Sequence, residues 1–213
     1  MQSKYFLPSF LIVQIVVLQI IPFFPELTEQ LYSNSLYPIL SNFSRVIFGK
    51  IPFSIGDCIY LVVIISSLLW FWNKRKSWKL AWKNNILSIL SFLSVFYFLF
   101  HLLWAFNYYR VPLFEKMKIK REYTEQELVV FTEKLIVKTN AVQIAITKDS
   151  LKKVTNPYPQ DSIFKLTQNG YDQLAKKHPF FEYTLPSQKK SLLSVPLTYM
   201  GFGGYLNPFT NEA

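Results

Sequence analysis

Apolar residues run in long blocks up to Arg110 and are scattered among charges beyond it. Three blocks stand out, at about 6–24, 55–72 and 86–106. The last holds no Asp, Glu, Lys or Arg over its 21 residues. A helix rising ~1.5 Å per residue crosses the ~30 Å hydrocarbon core in about 20 residues, so these blocks predict three membrane spans. Lipid offers the backbone no hydrogen-bond partners, which makes a span of this kind helical. Trp70-Phe71-Trp72 closes the second block, and Trp104, Tyr108 and Tyr109 gather at the end of the third, where amphipathic rings sit at headgroup level.

Between the first two blocks, Leu36, Ile39, Leu40, Phe43 and Ile47 recur at helical spacing. They predict a helix over about 36–48 lying in the interface or packed on the bundle. Ser54 is the expected N-cap of the second span, with Asp57 three residues on in the capping-box position. A carboxylate there complements the helix dipole; the alternative is a buried functional acid. Gln14 and Gln19 interrupt the first span, and each is expected to find a partner inside the bundle. His101 in the third span is an intramembrane ionisable group and therefore a functional-site candidate. No acid shares its segment to form a relay, so the expected state is a neutral imidazole bonded across to Gln14, Gln19 or Ser66.

Past Arg110 a charged linker leads to Thr124-Glu125-Gln126-Glu127, which has the capping-box pattern. Leu128, Phe131, Leu135, Val142 and Ile146 then fall near one helical face, predicting a helix over about 124–147. The alternation of Val142, Ile144 and Ile146 leaves a strand at 141–147 as the alternative. A loop at Asn156-Pro157-Tyr158-Pro159 precedes a second helix over about 161–177, ended by His178-Pro179. In Ser191–Ala213, alternating residues around Gly201-Phe202-Gly203-Gly204 suggest a hairpin over about 192–210, with Glu212 a polar strand residue. The expected architecture is therefore a membrane domain, residues 1–110, followed by a small α+β region, residues 111–213. The stop at Asn211-Glu212-Ala213, without a closing element, makes that region look incomplete.

Charge then orients the spans. Residues 73–85 carry five Lys/Arg and no acid, so by the positive-inside rule this short loop is cytoplasmic. Lys4 falls on the same side. The N-terminus is expected in the cytoplasm and residues 107–213 outside it. The net charge of +10 does not point to nucleic acid, because the 15 basic groups after residue 106 are offset by ten acidic ones and no recognition motif appears. Membrane lipids are the expected partners. Pro22-Phe23-Phe24-Pro25 follows the first apolar run where a signal peptide would have small residues, so that span is read as uncleaved.

Candidate chemistry is sparse. Cys58 is the sole cysteine, which excludes an intrachain disulfide and a cysteine zinc site; it reads as a small apolar helix residue. The glycines match neither a phosphate loop nor a dinucleotide fingerprint. No serine elbow, Cys-His pair or intramembrane acid pair is present. No residue is assigned a catalytic, cofactor-binding or metal-binding role.

Four stretches nevertheless carry a resemblance: Pro52–Asp57, Trp104–Arg110 with Pro112-Leu113, Ser191–Ser194, and Tyr199–Ala213 ending in Asn207-Pro208-Phe209-Thr210-Asn211-Glu212-Ala213. Together they resemble an uncharacterised bacterial membrane-protein family of unknown function. The resemblance implies three spans in the bacterial inner membrane and an extracytoplasmic domain. In longer members it implies a His-Glu-x-x-His helix similar to zinc metallopeptidases, shortly after the stretch matching Pro208–Ala213. This sequence has no such motif, and its two histidines lie 77 residues apart. A catalytic zinc needs three protein ligands and an open water position, so zinc is expected only if the chain continues past Ala213. On this reading the residues present are the catalytically inactive N-terminal part of a peptidase-like protein, with the hairpin flanking a peptide cleft. The alternative is a non-enzymatic membrane scaffold or binding module that docks a peptide or protein. A transporter has less support, since inverted repeats and broken helices are absent.

Overall fold

The computed structural model describes residues 3–182 and 187–213, and among them it is helical with no strand. The expected α+β region is therefore corrected to an all-helical one. Helix α1 (Ser3–Ile20) ends in a 3-10 turn at Ile21–Phe23, where Pro22 stops the α-helix. A short α2 (Pro25–Thr28) and a π-helix (Glu29–Leu36) lead into the amphipathic α3 (Tyr37–Phe48). Helix α4 (Ile55–Lys74) and α5 (Trp82–Leu103) follow, joined by a tight turn. Three helices are long and apolar enough to cross a membrane: Lys4–Phe23, Ile55–Lys74 and Trp82–Leu103. The third starts four residues before the expected 86, and its α-helix stops at Leu103; Ala105–Tyr109 is a 3-10 turn.

The chain forms two compact units, one made of residues up to Arg110 together with Gln168–Ala213, the other of Val111–Thr167. In the first, α1 packs along α5. Gln14 donates to the Ser94 carbonyl at 3.2 Å and to Ser94 Oγ at 3.0 Å, so this polar pair is satisfied between the two helices. Gln19, by contrast, is exposed, and does not turn into the bundle. Tyr32, in the π-helix, donates to the Leu102 carbonyl at 2.8 Å and packs on Phe106. It thereby satisfies one of the last carbonyls of α5, which have no intrahelical partner.

In the second unit, α6 (Leu113–Lys116) precedes α7 (Glu125–Thr147). Thr124 Oγ1 accepts from the Glu127 N–H at 3.2 Å and the Glu127 carboxylate accepts from the Thr124 N–H at 2.7 Å, a complete capping box. The alternating Val142, Ile144 and Ile146 belong to the last turns of α7, which buries none of its residues. Helix α8 (Gln160–Lys177) starts in this unit, passes into the first at Gln168, and ends where His178 opens a 3-10 turn, Pro179–Phe181.

Where the hairpin was expected stands α9 (Ser194–Tyr199), for local reasons. Pro196 has no N–H for a strand ladder, a loss that costs nothing in the first turn of a helix. Gly201 has φ +85°, with Phe202 N–H bonded to the Leu197 carbonyl and Gly201 N–H to that of Thr198. That is a Schellman ending, so the glycine stops a helix instead of turning a hairpin.

Candidate functional site

A buried polar cluster of the first unit lies on the first turn of α4. Ser54 caps the helix, its Oγ accepting from the Asp57 N–H at 3.2 Å. The Asp57 carboxylate is fully buried and does not return to Ser54. It accepts from Ser191 Oγ at 2.9 Å, from the Leu192 N–H at 2.8 Å and from the Tyr205 hydroxyl. The Ser54 cap forms as expected, but the Asp57 side chain does not close a capping box and holds a distant segment instead. The Leu192 N–H that a strand would offer to a ladder is already taken by this carboxylate.

The stretch 207–212 closes on itself before it reaches the helix. Asn207 Oδ1 accepts from the N–H groups of Phe209 at 3.0 Å and Thr210 at 3.3 Å. Asn207 N–H donates to the Glu212 carbonyl at 2.7 Å, and Asn211 takes φ +54°, a left-handed conformation asparagine tolerates. This turn sends Phe209 and Glu212 to different tasks. Phe209 packs against Tyr60 of α4 and Phe96 and Phe100 of α5, at ring distances of 6.0, 5.0 and 6.4 Å. The Glu212 carboxylate accepts from the Gly56 N–H at 2.9 Å and from Thr210 Oγ1 at 2.8 Å.

Lys189 completes the cluster. Its Nζ lies 2.5 Å from Glu212 Oε1, with side-chain exposures of 5% and 2% for the pair, and also donates to the Phe48 carbonyl at 2.5 Å. Two buried carboxylates thus lie where the α4 dipole is positive, and one buried ammonium, that of Lys189, partners Glu212. Asn211 Oδ1 accepts from Tyr37 at 2.7 Å, tying the same turn to α3. The Tyr205 phenol is pushed up to about 12, first by burial and then by its bond to Asp57. Glu212 takes the Gly56 N–H and Lys189, Ser54 takes the Asp57 N–H, and the Asp57 carboxylate takes Ser191 and Leu192, so the cluster is built to hold chain segments together.

Sequence reading singled out Asp57 and Glu212, and the structure brings both to this turn of α4. Glu212 is a helix-capping carboxylate and not a strand residue. Lys189, Ser191, Tyr205, Asn207 and Thr210 join it through the tertiary structure. Ser194, Pro196 and Gly201 mark the start and end of the short helix that follows Ser191; nothing local marks Lys189. His101 lies elsewhere, its Nδ1 2.9 Å from the Tyr97 carbonyl of its own helix. It does not bond to Gln14, although both line an apolar cleft of about 160 Å³ with Phe10, Leu18, Phe98 and Phe106. Among the described residues, no three His, Cys, Asp or Glu side chains gather as a metal site.

The family model described as "Protein of unknown function (DUF3810)" matches residues 32–213. The chain belongs to this family. The DUF3810 match takes in every residue of the α4 cluster, from Tyr37 to Glu212, while α1 precedes it. No curated protein and no solved structure matches the chain.

Proposed function

We propose that this chain is a three-span integral membrane protein of the bacterial inner membrane whose helices form a platform holding the 187–213 segment at the extracytoplasmic face. The observation that carries the reading is the buried Lys189–Glu212 pair seated on the first turn of α4. A buried charge pair is tolerated only with good geometry and satisfied partners, so it specifies one seating of this segment. That seat lies a whole helix away from the basic turn of residues 73–85, about 30 Å for a helix of this length. The positive-inside bias supports a cytoplasmic turn and a seat on the other side.

The resemblance to longer relatives with a His-Glu-x-x-His segment gives the platform a purpose: it fixes the start of a zinc-peptidase-like unit relative to the membrane. On this reading the residues present supply anchorage and positioning, and zinc is expected only in a chain that continues past Ala213. The second reading, a scaffold that docks a peptide or protein, is favoured by α7, whose Leu128, Phe131, Leu135, Ile136 and Val137 are all exposed.

The test is cysteine labelling in a Cys58→Ser background. With Lys152→Cys, a membrane-impermeant maleimide should label intact spheroplasts; with Lys76→Cys, it should label only after permeabilisation. The reverse pattern would overturn the orientation, and labelling of both positions from outside would overturn the span count.

A further inference from the structure

The turn that joins α4 to α5 is a second built feature, independent of the cluster at the other end of α4. Lys74, Arg75, Lys76, Lys79 and Lys83 are all exposed, with no acid between residues 73 and 85. The turn is not a loose loop. Trp78 packs edge-on against Trp70 at 6.2 Å and against Phe71 at 5.6 Å. Backbone bonds from Ser77 to Lys74 (3.1 Å) and from Ala81 to Ser77 (3.0 Å) close it. The Arg75 guanidinium lies 3.7 Å from the centre of the Trp72 ring, and Lys83 Nζ 5.7 Å from that of Trp82.

Apolar groups point outward from the same turn. Leu80 is 94% exposed, Trp72 64% and Trp82 50%. Helix α5 begins here with no side-chain cap and no acid in its first turn, leaving the positive end of its dipole uncompensated. In water this surface would strand both its apolar groups and its charge. At a membrane interface the rings and Leu80 reach acyl chains, while the cations meet phosphate oxygens.

We propose that this turn is a cradle for anionic phospholipid headgroups, with Arg75, Lys76 and Lys79 as the principal contacts and Trp72, Leu80 and Trp82 seated among the acyl chains. A zwitterionic headgroup brings no net charge to offset five cations held within 13 residues. A free phosphate gives Leu80 and the indoles nothing to bury against. Each basic residue near an anionic surface adds roughly fivefold in partitioning, so the cluster favours anionic over neutral lipid strongly.

The test uses the whole chain in phosphatidylcholine vesicles, with Trp104→Phe leaving four tryptophans, all at this end. Brominated acyl chains quench indoles on contact. At equal mole fraction, brominated phosphatidylglycerol should quench at least about twofold more than brominated phosphatidylcholine, reflecting local enrichment by the basic cluster. Equal quenching overturns the proposal, whichever face of the membrane the turn occupies, so its failure is distinct from that of the orientation above. The triple variant Arg75→Gln/Lys76→Gln/Lys79→Gln should abolish the difference. Lys148→Gln/Lys152→Gln/Lys153→Gln, with the same loss of charge, should retain it; loss in both would assign the effect to net charge and overturn the cradle. Inorganic phosphate added at excess should leave the difference intact, and its disappearance would mean a site for free anions instead.

Discussion

The carboxylate of Glu212 accepts a hydrogen bond from the backbone N–H of Gly56, 156 residues earlier in the chain, at 2.9 Å. The first turn of α4 therefore has two caps, Ser54 from its own sequence and Glu212 from the far end. Lys189 neutralises the second cap, and Phe209 from the same turn wedges against α4 and α5. Removing Ser54, Glu212 or Lys189 leaves a polar partner unsatisfied, and removing Phe209 leaves a gap between α4 and α5.

Glu212→Ala strands the ammonium of Lys189, which is 5% exposed on its side chain. Stranding one member of a buried pair costs about 3–5 kcal/mol. The 187–213 segment should detach, read as faster limited proteolysis there and a lower midpoint of unfolding in detergent. Glu212→Gln/Lys189→Met, which removes both charges, should recover most of the loss. A double variant no better than Glu212→Ala would show that the pair does not hold the segment.

Gly56→Ala probes the close approach of the 207–212 turn. A Cβ at Gly56 would overlap the Asn207 side-chain amide, which is itself 1% exposed. Overpacking of this kind costs about 1–3 kcal/mol. A helix interior ordinarily gains from Gly→Ala, by about 1 kcal/mol. A destabilised variant thus reports the tertiary contact, whereas a stabilised one would mean that Asn207 does not sit against α4.

Tyr205 makes stability depend on alkaline pH. Its phenol donates to Asp57, and its pKa is raised from 10.0 to about 12. A raised pKa contributes stability that is complete below about pH 10 and is lost as pH climbs through about 12. The stability gap between the native chain and Tyr205→Phe should be constant from pH 7 to about 9.5 and should close above that. A gap that widens with pH would reverse the sign and refute the hydrogen bond.

Gln14 tests the interior of the bundle. Its bonds to Ser94 join α1 to α5 inside the apolar region, where such bonds average about 0.6 kcal/mol. Gln14→Leu should shift unfolding in bicelles by no more than about 1 kcal/mol and leave the helices associated. Separation of α1 from α5 in that variant, seen by crosslinking, would mean that the polar pair, and not apolar packing, holds them.

Features that depend on neighbours in the chain were legible without a structure. Ser54 capping Asp57 and Thr124 pairing with Glu127 are contacts three residues apart, and their residue types state the bond. The apolar blocks announced helices of spanning length because the period and length are themselves the physical requirement. The side on which a polar residue falls was less legible. Gln14 turns inward and Gln19 outward, and His101 bonds within its own helix, because rotation about the helix axis is set by what packs beside it.

The sequence alone determined the helical spans, their local caps and the charge asymmetry of the turn between α4 and α5. Only the tertiary structure decided the fate of residues 187–213. Alternating residues and glycines there satisfy the pattern of a hairpin, but a strand must find a ladder for its N–H groups. Asp57 takes that of Leu192, Pro196 offers none, and Gly201 ends a helix. The partners that settle the matter, Asp57 with Ser191 and Gly56 with Glu212, are 134 and 156 residues apart. A buried carboxylate must be satisfied by whatever the fold brings to it, and no local pattern records which group that will be.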